Sequence, residues 1–326
     1  MKTNKKNKIA IISAIVVVLI ALIGYLVYKN RDALSNMTDK MLIKNAYGEK
    51  VKVDGKNMVV QKYGNNPDKR VVLLPGLGYV SPILDFKPLA ELLANNYEVL
   101  VVEQFGYGLS DAPVTDRTIE NITSELHSLL EKMNYKKYTL MGHSMSGIYS
   151  LYYVNTYKDE VEAFIGIDIS TPDMNDGFDA TAMEIEYANE QKAKITSGEV
   201  RRETKDDASS LLPTYKDYTY NDKDTKLYRR MYLVNKYNDA FFNEVNRTVE
   251  NCNKTKGMTF GDIPVLMFTS SVNDQFLPGW HDMHIKLVGN EKNSEVIQLE
   301  GSHYLHYTHR TEIVSTMNAF YEKNVR

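Results

Sequence analysis

Hydrophobic and polar positions follow three rhythms along this chain, and each predicts a different kind of element. The first is an unbroken apolar run, IAIISAIVVVLIALIGYLVY, from Ile9 to Tyr28, without a charge. At a helical rise of about 1.5 Å per residue, some 20 residues reach across a hydrocarbon core of about 30 Å, so the run predicts one transmembrane helix. A helix packed in a soluble core would show a polar stripe, and this one does not. From Lys29 to Lys40 polar positions dominate and predict a linker. The second rhythm is short and β-like: KVKVDG and NMVVQKYG meet at Asp54-Gly55, which predicts a hairpin.

The third rhythm alternates strand-like and helix-like stretches. RVVLLPG, YEVLVVE, YTLMGHS, AFIGIDIS, IPVLMFTS and SEVIQLEG read as buried strands. Helices are expected at Asp85–Asn95, Asp116–Met133, Ser146–Tyr157, near Asp282 and at Arg310–Asn324. Such alternation is the mark of the α/β class, a parallel sheet with crossover helices. It is interrupted at residues 171–262, roughly ninety charged, tyrosine-bearing residues without a strong strand. A structureless loop of that length is improbable in a compact domain, so a helical insertion is expected, with AMEIEYANEQKAKI and KLYRRMYLVNKYNDAFFNEV as its clearest helices. The expected organisation is therefore a basic tail at 1–8, a transmembrane helix at 9–28, a linker at 29–40, core segments at 41–170 and 263–326, and the insertion between them.

Charge and cysteine usage narrow the partners. The formal net charge is −3, and residues 1–8 hold four lysines and no acid, which leaves −7 on the remainder. A body of that sign repels phosphates, and no nucleic-acid partner is expected. The single cysteine, Cys252, excludes an intrachain disulfide framework and any Cys-Cys metal site. A cleavable signal peptide is disfavoured because the apolar run is long and no Ala-x-Ala precedes YKNRD. Flanking charges nearly balance across the helix, so the membrane potential decides: the tetralysine tail stays in the cytoplasm and the body lies outside it.

Candidate chemistry begins at YTLMGHSMSGIYSLYY, where Ser144 stands between a buried strand and a helix. A serine hydroxyl needs an adjacent base, itself oriented by a third group, to become a nucleophile. A strand-to-helix bend exposes the hydroxyl at the carboxyl edge of the sheet, and the backbone N–H of Met145 is placed to face a developing oxyanion. Four further stretches raise Ser144 above an ordinary turn serine. Pro75-Gly76-Leu77-Gly78 lets the backbone approach a ligand, with Leu77 N–H as a second oxyanion donor. VEQFGYGLSD repeats the pattern of a strand followed by close glycines. Asp274 follows the strand VLMFTS, with Asp168 at the end of FIGID as its rival, and His303 follows the last strand. Ser144, Asp274 and His303 occur in the order nucleophile, acid, base.

Taken together, residues 47–324 resemble the α/β-hydrolase fold of capped esterases and related enzymes. PGLG is similar to its oxyanion motif, E-x-x-G-x-G-x-S from Glu103 to Ser110 to its D-x-x-G-x-G-x-S loop, and GHSMSG to its nucleophile elbow. The resemblance implies an eight-stranded, mostly parallel sheet capped by residues 171–262. It also implies Ser144 as nucleophile, His303 as general base and acid, Asp274 as orienting acid, and an oxyanion hole of Leu77 and Met145. Two departures stand out. Ser146 replaces the last glycine of G-x-S-x-G, although Gly147 follows at once, and Glu103 replaces an aspartate, which concerns loop support more than chemistry.

The expected activity is a membrane-anchored serine hydrolase acting on a small-molecule carboxylic ester or related acyl bond, with no metal or organic cofactor. The alternatives are a small-peptide or amide hydrolase, for which Glu184 or Glu186 would anchor a free amine, and a non-catalytic binding protein on the same fold. The complete set of triad candidates weighs against the binder. Haloalkane dehalogenases and epoxide hydrolases of this fold carry aspartate at the nucleophile position, and Ser144 weighs against both. A zinc site built from His303, His306 and His309 is disfavoured because residues three apart rotate around a helix.

Overall fold

The computed structural model describes residues 2–176 and 180–325, so residue 1 of the basic tail, residues 177–179 of the expected insertion and residue 326 lie outside it. The chain forms two compact units, Met1–Lys44 and Asn45–Arg326. In the first, a helix spans Lys2–Lys29. Its segment Ala10–Lys29 has a mean hydropathy of 3.0 and none of it is buried, which makes it long and apolar enough to cross a membrane. The expected linker is instead a second helix, Arg31–Ile43. RDALSNMTDKMLI holds no glycine or proline, and Asp32 in its first turn and Lys40 in its last complement the helix dipole.

The second unit is built on a sheet of eight strands among the described residues: β1 (Glu49–Val53), β2 (Lys56–Tyr63), β3 (Arg70–Leu74), β4 (Glu98–Glu103), β5 (Tyr138–His143), β6 (Val161–Ile167), β7 (Val265–Ser270) and β8 (Glu295–Leu299). Their spatial order is β1-β2-β4-β3-β5-β6-β7-β8. The β1–β2 hairpin turns at Asp54-Gly55, both at positive φ (49° and 82°), and β2 pairs antiparallel with β4. All other pairs are parallel.

Side-chain alternation explains why the sheet is covered on both faces. Val72, Leu74, Leu100, Val102, Leu140 and Phe164 belong to one buried cluster, and Val71, Leu73, Val99, Val101, Met141 and Ile165 to another. The helix Ile119–Lys132 joins the first cluster through Leu126, Leu129 and Leu130, and the Thr118 hydroxyl caps it by accepting from Asn121 N–H at 3.3 Å. The helix Leu305–Asn324 joins the second through Ile313, Val314 and Met317. The expected helix at Asp85–Asn95 is present in two pieces, Pro82–Asp85 and Lys87–Leu93.

Strand order locates the crevice. β3 has β4 on one side and β5 on the other, so the chain reverses its direction of progress there, and open α/β sheets bind ligands at that point beyond the strands' carboxyl ends. Leu74 pairs with Gly142 across β3 and β5, which brings the Pro75–Gly78 loop beside Ser144. Between β6 and β7 lie helices at Thr181–Thr196, Glu199–Glu203, Asp222–Asn235, Asp239–Asn246 and Thr248–Asn253. The second long apolar pattern is thus two helices, broken at Tyr237, whose φ is +56°, and restarted by Asn238, whose side chain accepts from Phe241 N–H at 3.0 Å.

Candidate active site

Ser144 has φ +56°, a conformation that β-carbon crowding disfavours and that a serine keeps only where its surroundings hold it. They do so through the backbone: Ser144 N–H donates to Ile167 C=O at 3.3 Å, and Ser144 C=O accepts from Ser170 N–H at 2.9 Å. Gly76 is required beside it, because a β-carbon there would lie 2.8 Å from Ser144 Cβ. The variant elbow is accommodated by its neighbours. A β-carbon on Gly142 would lie 2.5 Å from Ser146 Oγ, and that buried hydroxyl donates to His143 C=O at 2.8 Å. Gly147 takes the tight crossing, since a β-carbon there would come within 2.3 Å of Ile169.

The acid beside His303 is Asp168, not Asp274. Asp168 is fully buried at the end of β6, itself at φ +41°, and its Oδ2 lies 2.6 Å from His303 Nδ1. A carboxylate only accepts, so Nδ1 carries the proton and Nε2 is left as the basic nitrogen. Three more donors fix the carboxylate: Ser270 N–H and Trp280 Nε1–H, each 2.7 Å from Oδ1, and Asn273 Nδ2 at 2.6 Å from Oδ2. Asp274 follows Asn273 in the helix Ser271–Phe276 but is occupied elsewhere, accepting from His281 N–H and Gln298 Nε2, both at 3.2 Å. The His281 N–H holds its carboxyl below the usual aspartate range. Because 168 also falls between 144 and 303, chain order alone does not separate the two acids.

Leu77, Ser144 and Met145 line one cavity of about 290 Å³, together with Met174, Val245 and Tyr304. Among the described residues no acceptor takes the N–H of Leu77 or of Met145, and Ser144 Oγ is hydrogen-bonded neither to His303 nor to another side chain. Nucleophile–base contacts of this kind commonly tighten only with substrate in place.

A second histidine, His143, lies behind the first, with ring centroids 4.5 Å apart. Its Nε2 donates to His303 C=O at 3.0 Å, so its Nδ1 accepts from Tyr79 O–H at 3.0 Å. Tyr79 in turn accepts from His306 Nε2 at 3.3 Å. Burial keeps both histidines neutral, pushing His143 well below the usual range and His306 down to about 3. His143 holds the backbone carbonyl of His303, and His306 reaches that contact only through Tyr79.

The glycine loops are held by buried acids. Glu103 accepts from Leu109 N–H and Tyr47 O–H, both at 2.7 Å, and from Ser81 Oγ at 3.0 Å, while burial raises its pKa to about 7. Its role is loop support. Glu244, from the helix Asp239–Asn246, accepts from Tyr107 O–H at 2.8 Å and Tyr149 O–H at 2.7 Å, and Gly78 N–H donates to Tyr107 at 3.3 Å. Nothing in the local sequence marks Trp280, Tyr107 or Glu244 for these positions; only a buried polar group's need for a partner does.

Residues 69–255 match the family model described as alpha/beta hydrolase fold. An uncharacterized protein, YbdG, of Bacillus subtilis is 31% identical over 174 residues, 53% of this chain and 52% of that one. A 2-(acetamidomethylene)succinate hydrolase of Mesorhizobium japonicum is 28% identical over 93 residues, 28% of this chain and 34% of its own. The chain spans about half or less of the length of these curated relatives. Among solved structures, the epoxide hydrolase CorEH superposes with a TM-score of 0.65 at 17% identity, covering 85% of this chain and 99% of that one. A serine hydrolase involved in carbazole degradation gives 0.57 at 15%, with 85% and 99% covered. At such identities the structural likeness is one of fold.

Proposed function

The chain belongs to the alpha/beta hydrolase fold family, and from that premise we propose that it is a membrane-anchored serine hydrolase cleaving a carboxylic ester or related acyl bond. The observation that carries this reading is the Asp168–His303 pair at 2.6 Å, in the tautomer that leaves Nε2 basic, on the strand next to a serine held at φ +56°. Ser144 attacks the carbonyl as His303 Nε2 takes its proton, and Asp168 stabilises the imidazolium that forms. The N–H groups of Leu77 and Met145 receive the oxyanion, a contribution typically worth about a hundredfold or more per donor. The tetrahedral species collapses as His303 protonates the leaving group. Water, activated by the same nitrogen, then releases the acid from Ser144. The sequence Ala10–Lys29 anchors the enzyme as a single-pass helix, with its N-terminus cytoplasmic and the catalytic unit outside.

Labelling of the detergent-solubilised full chain with a fluorophosphonate, with and without a chelator, tests the chemistry. The expected result is chelator-insensitive labelling that disappears in Ser144→Ala and His303→Ala. A folded wild-type protein that takes up no label would overturn the proposal in favour of a non-catalytic binder. Alkaline phosphatase fused after Arg326 tests the topology, with activity expected only if the C-terminus is extracytoplasmic.

A further inference from the structure

Beside the Ser144 cavity lies another of about 250 Å³, which shares Leu77, Glu184 and Tyr304 with it and is walled by tyrosines, among them Tyr228, Tyr237 and Tyr307. Among the described residues that line it, the one cation is Lys236. Lys236 sits at the break between the helices Asp222–Asn235 and Asp239–Asn246, directly before the left-handed Tyr237. Its Nζ donates to the carbonyl of Gly78 and lies 5.1 Å from the centroid of the Tyr237 ring. An ammonium has three N–H donors, and this contact uses one. Among the described residues no carboxylate comes within ion-pair distance of Nζ. Asp85, which lines the same cavity, is already engaged by Ser81 N–H at 3.0 Å and Tyr228 O–H at 2.9 Å. Glu184 is exposed at the rim.

Lys236 is half-buried, with Asp85 and Glu184 in the same cavity but neither in contact with Nζ, so its unused donors gain when an anion meets them directly. Burial lowers the Lys236 pKa, and the nearby Asp85 and Glu184 carboxylates offset that only in part. The location is what gives this chemical meaning. Gly78 follows Leu77, the proposed oxyanion donor, so an anion bridging to Nζ is held one residue away from where the scissile carbonyl is received.

We infer that the substrate carries a carboxylate in addition to its scissile acyl bond, and that Lys236 is the residue that recognises it. This rests on the hydrolase reading above and names its substrate class. The competing account is that Lys236 merely braces the Gly78 loop, in which case its loss harms every substrate alike.

The experiment uses matched esters that differ in charge, hydrolysed by the full chain in detergent: 4-nitrophenyl hemiglutarate against 4-nitrophenyl pentanoate for a carboxylate on the acyl side, and 4-acetoxybenzoate against phenyl acetate for one on the leaving group. In at least one pair kcat/KM is expected to favour the anionic member, by about tenfold or more, as a charge-assisted hydrogen bond supplies. Lys236→Met should collapse that ratio toward one, and Lys236→Arg should restore part of it. Equal loss on both members of each pair, or no wild-type preference in either pair, overturns the inference while leaving the hydrolase reading intact. Calorimetric titration with glutarate reads the site without turnover: binding by wild type that weakens at least tenfold in a folded Lys236→Met protein supports it. If no ester is hydrolysed and glutarate does not bind, both readings fail; if glutarate alone responds, the hydrolase reading falls, the substrate class falls with it, and Lys236 stands only as a carboxylate-binding residue.

Discussion

Asp168 and Asp274 follow neighbouring strands, β6 and β7, and lie within one corner of the molecule, yet they are opposite kinds of aspartate. Asp168 is fully buried, strained at φ +41°, and surrounded by four donors, one of them His303. Asp274 is half-buried and accepts two longer bonds, from His281 N–H and Gln298. The first is enclosed by the groups it organises, whereas the second can exchange those bonds for water. Burial together with a saturated carboxylate is what singles out Asp168 as the acid that contacts His303, and sequence position alone does not.

The contrast is tested most severely by isosteric replacement. Asp168→Asn should lower kcat by about 10⁴-fold, because the amide permits the wrong imidazole tautomer. Measured with an ester that wild type turns over, a loss under tenfold would break the contrast. Trp280→Phe removes one donor from Asp168 Oδ1 and should destabilise the protein by about 1–3 kcal/mol, measured by chemical denaturation, with a smaller loss in turnover than Asp168→Asn.

A third kind of acid sharpens the picture through pH. Glu103 and Asp85 are raised by burial to about 7, above their unfolded values, so the folded state binds protons that the unfolded state has released. Their contribution to stability is full below about pH 4 and is lost as pH rises through 7. Glu103→Gln should therefore flatten the decline in unfolding free energy between pH 5 and 8 relative to wild type, as followed by urea titration. Asp274→Asn is the smallest expected effect: kcat within about twofold of wild type, since neither partner of its carboxylate touches the reacting groups. A loss as large as that of Asp168→Asn would reverse the assignment of the two acids.

Much of the sheet was legible because period-two and continuous apolar runs with glycine punctuation are local signals. The positions of Ser144, Leu77, Met145 and His303 beyond strand ends follow from the same local signals, and the structure brings the first three to one cavity. What was not legible depends on contacts distant in sequence. Asn273, and not Asp274, faces Asp168 because of how the helix Ser271–Phe276 leaves β7, and Trp280 reaches the same carboxylate from farther along the chain. The helix break at Tyr237 is masked because KLYRRMYLVNKYNDAFFNEV contains no proline or glycine; the local cap by Asn238 is reinforced by a tertiary contact, Asn238 Nδ2 donating to Gly106 C=O at 2.7 Å. The polarity of 29–40 suggests a linker, although polar residues of good helix propensity form solvated helices equally well.

Gly78 is held at both of its peptide groups by residues that reach into the inserted helices: its N–H through Tyr107 to Glu244, its C=O by Lys236. The insertion is therefore no interchangeable lid. Transplanting a foreign one, as an engineer would to change substrate scope, would release the loop proposed to receive the oxyanion, unless the graft brought its own acid and its own cation to those two points. On the proposed reading, selectivity and catalytic power share the same fastenings, so neither can be redesigned without re-anchoring the other.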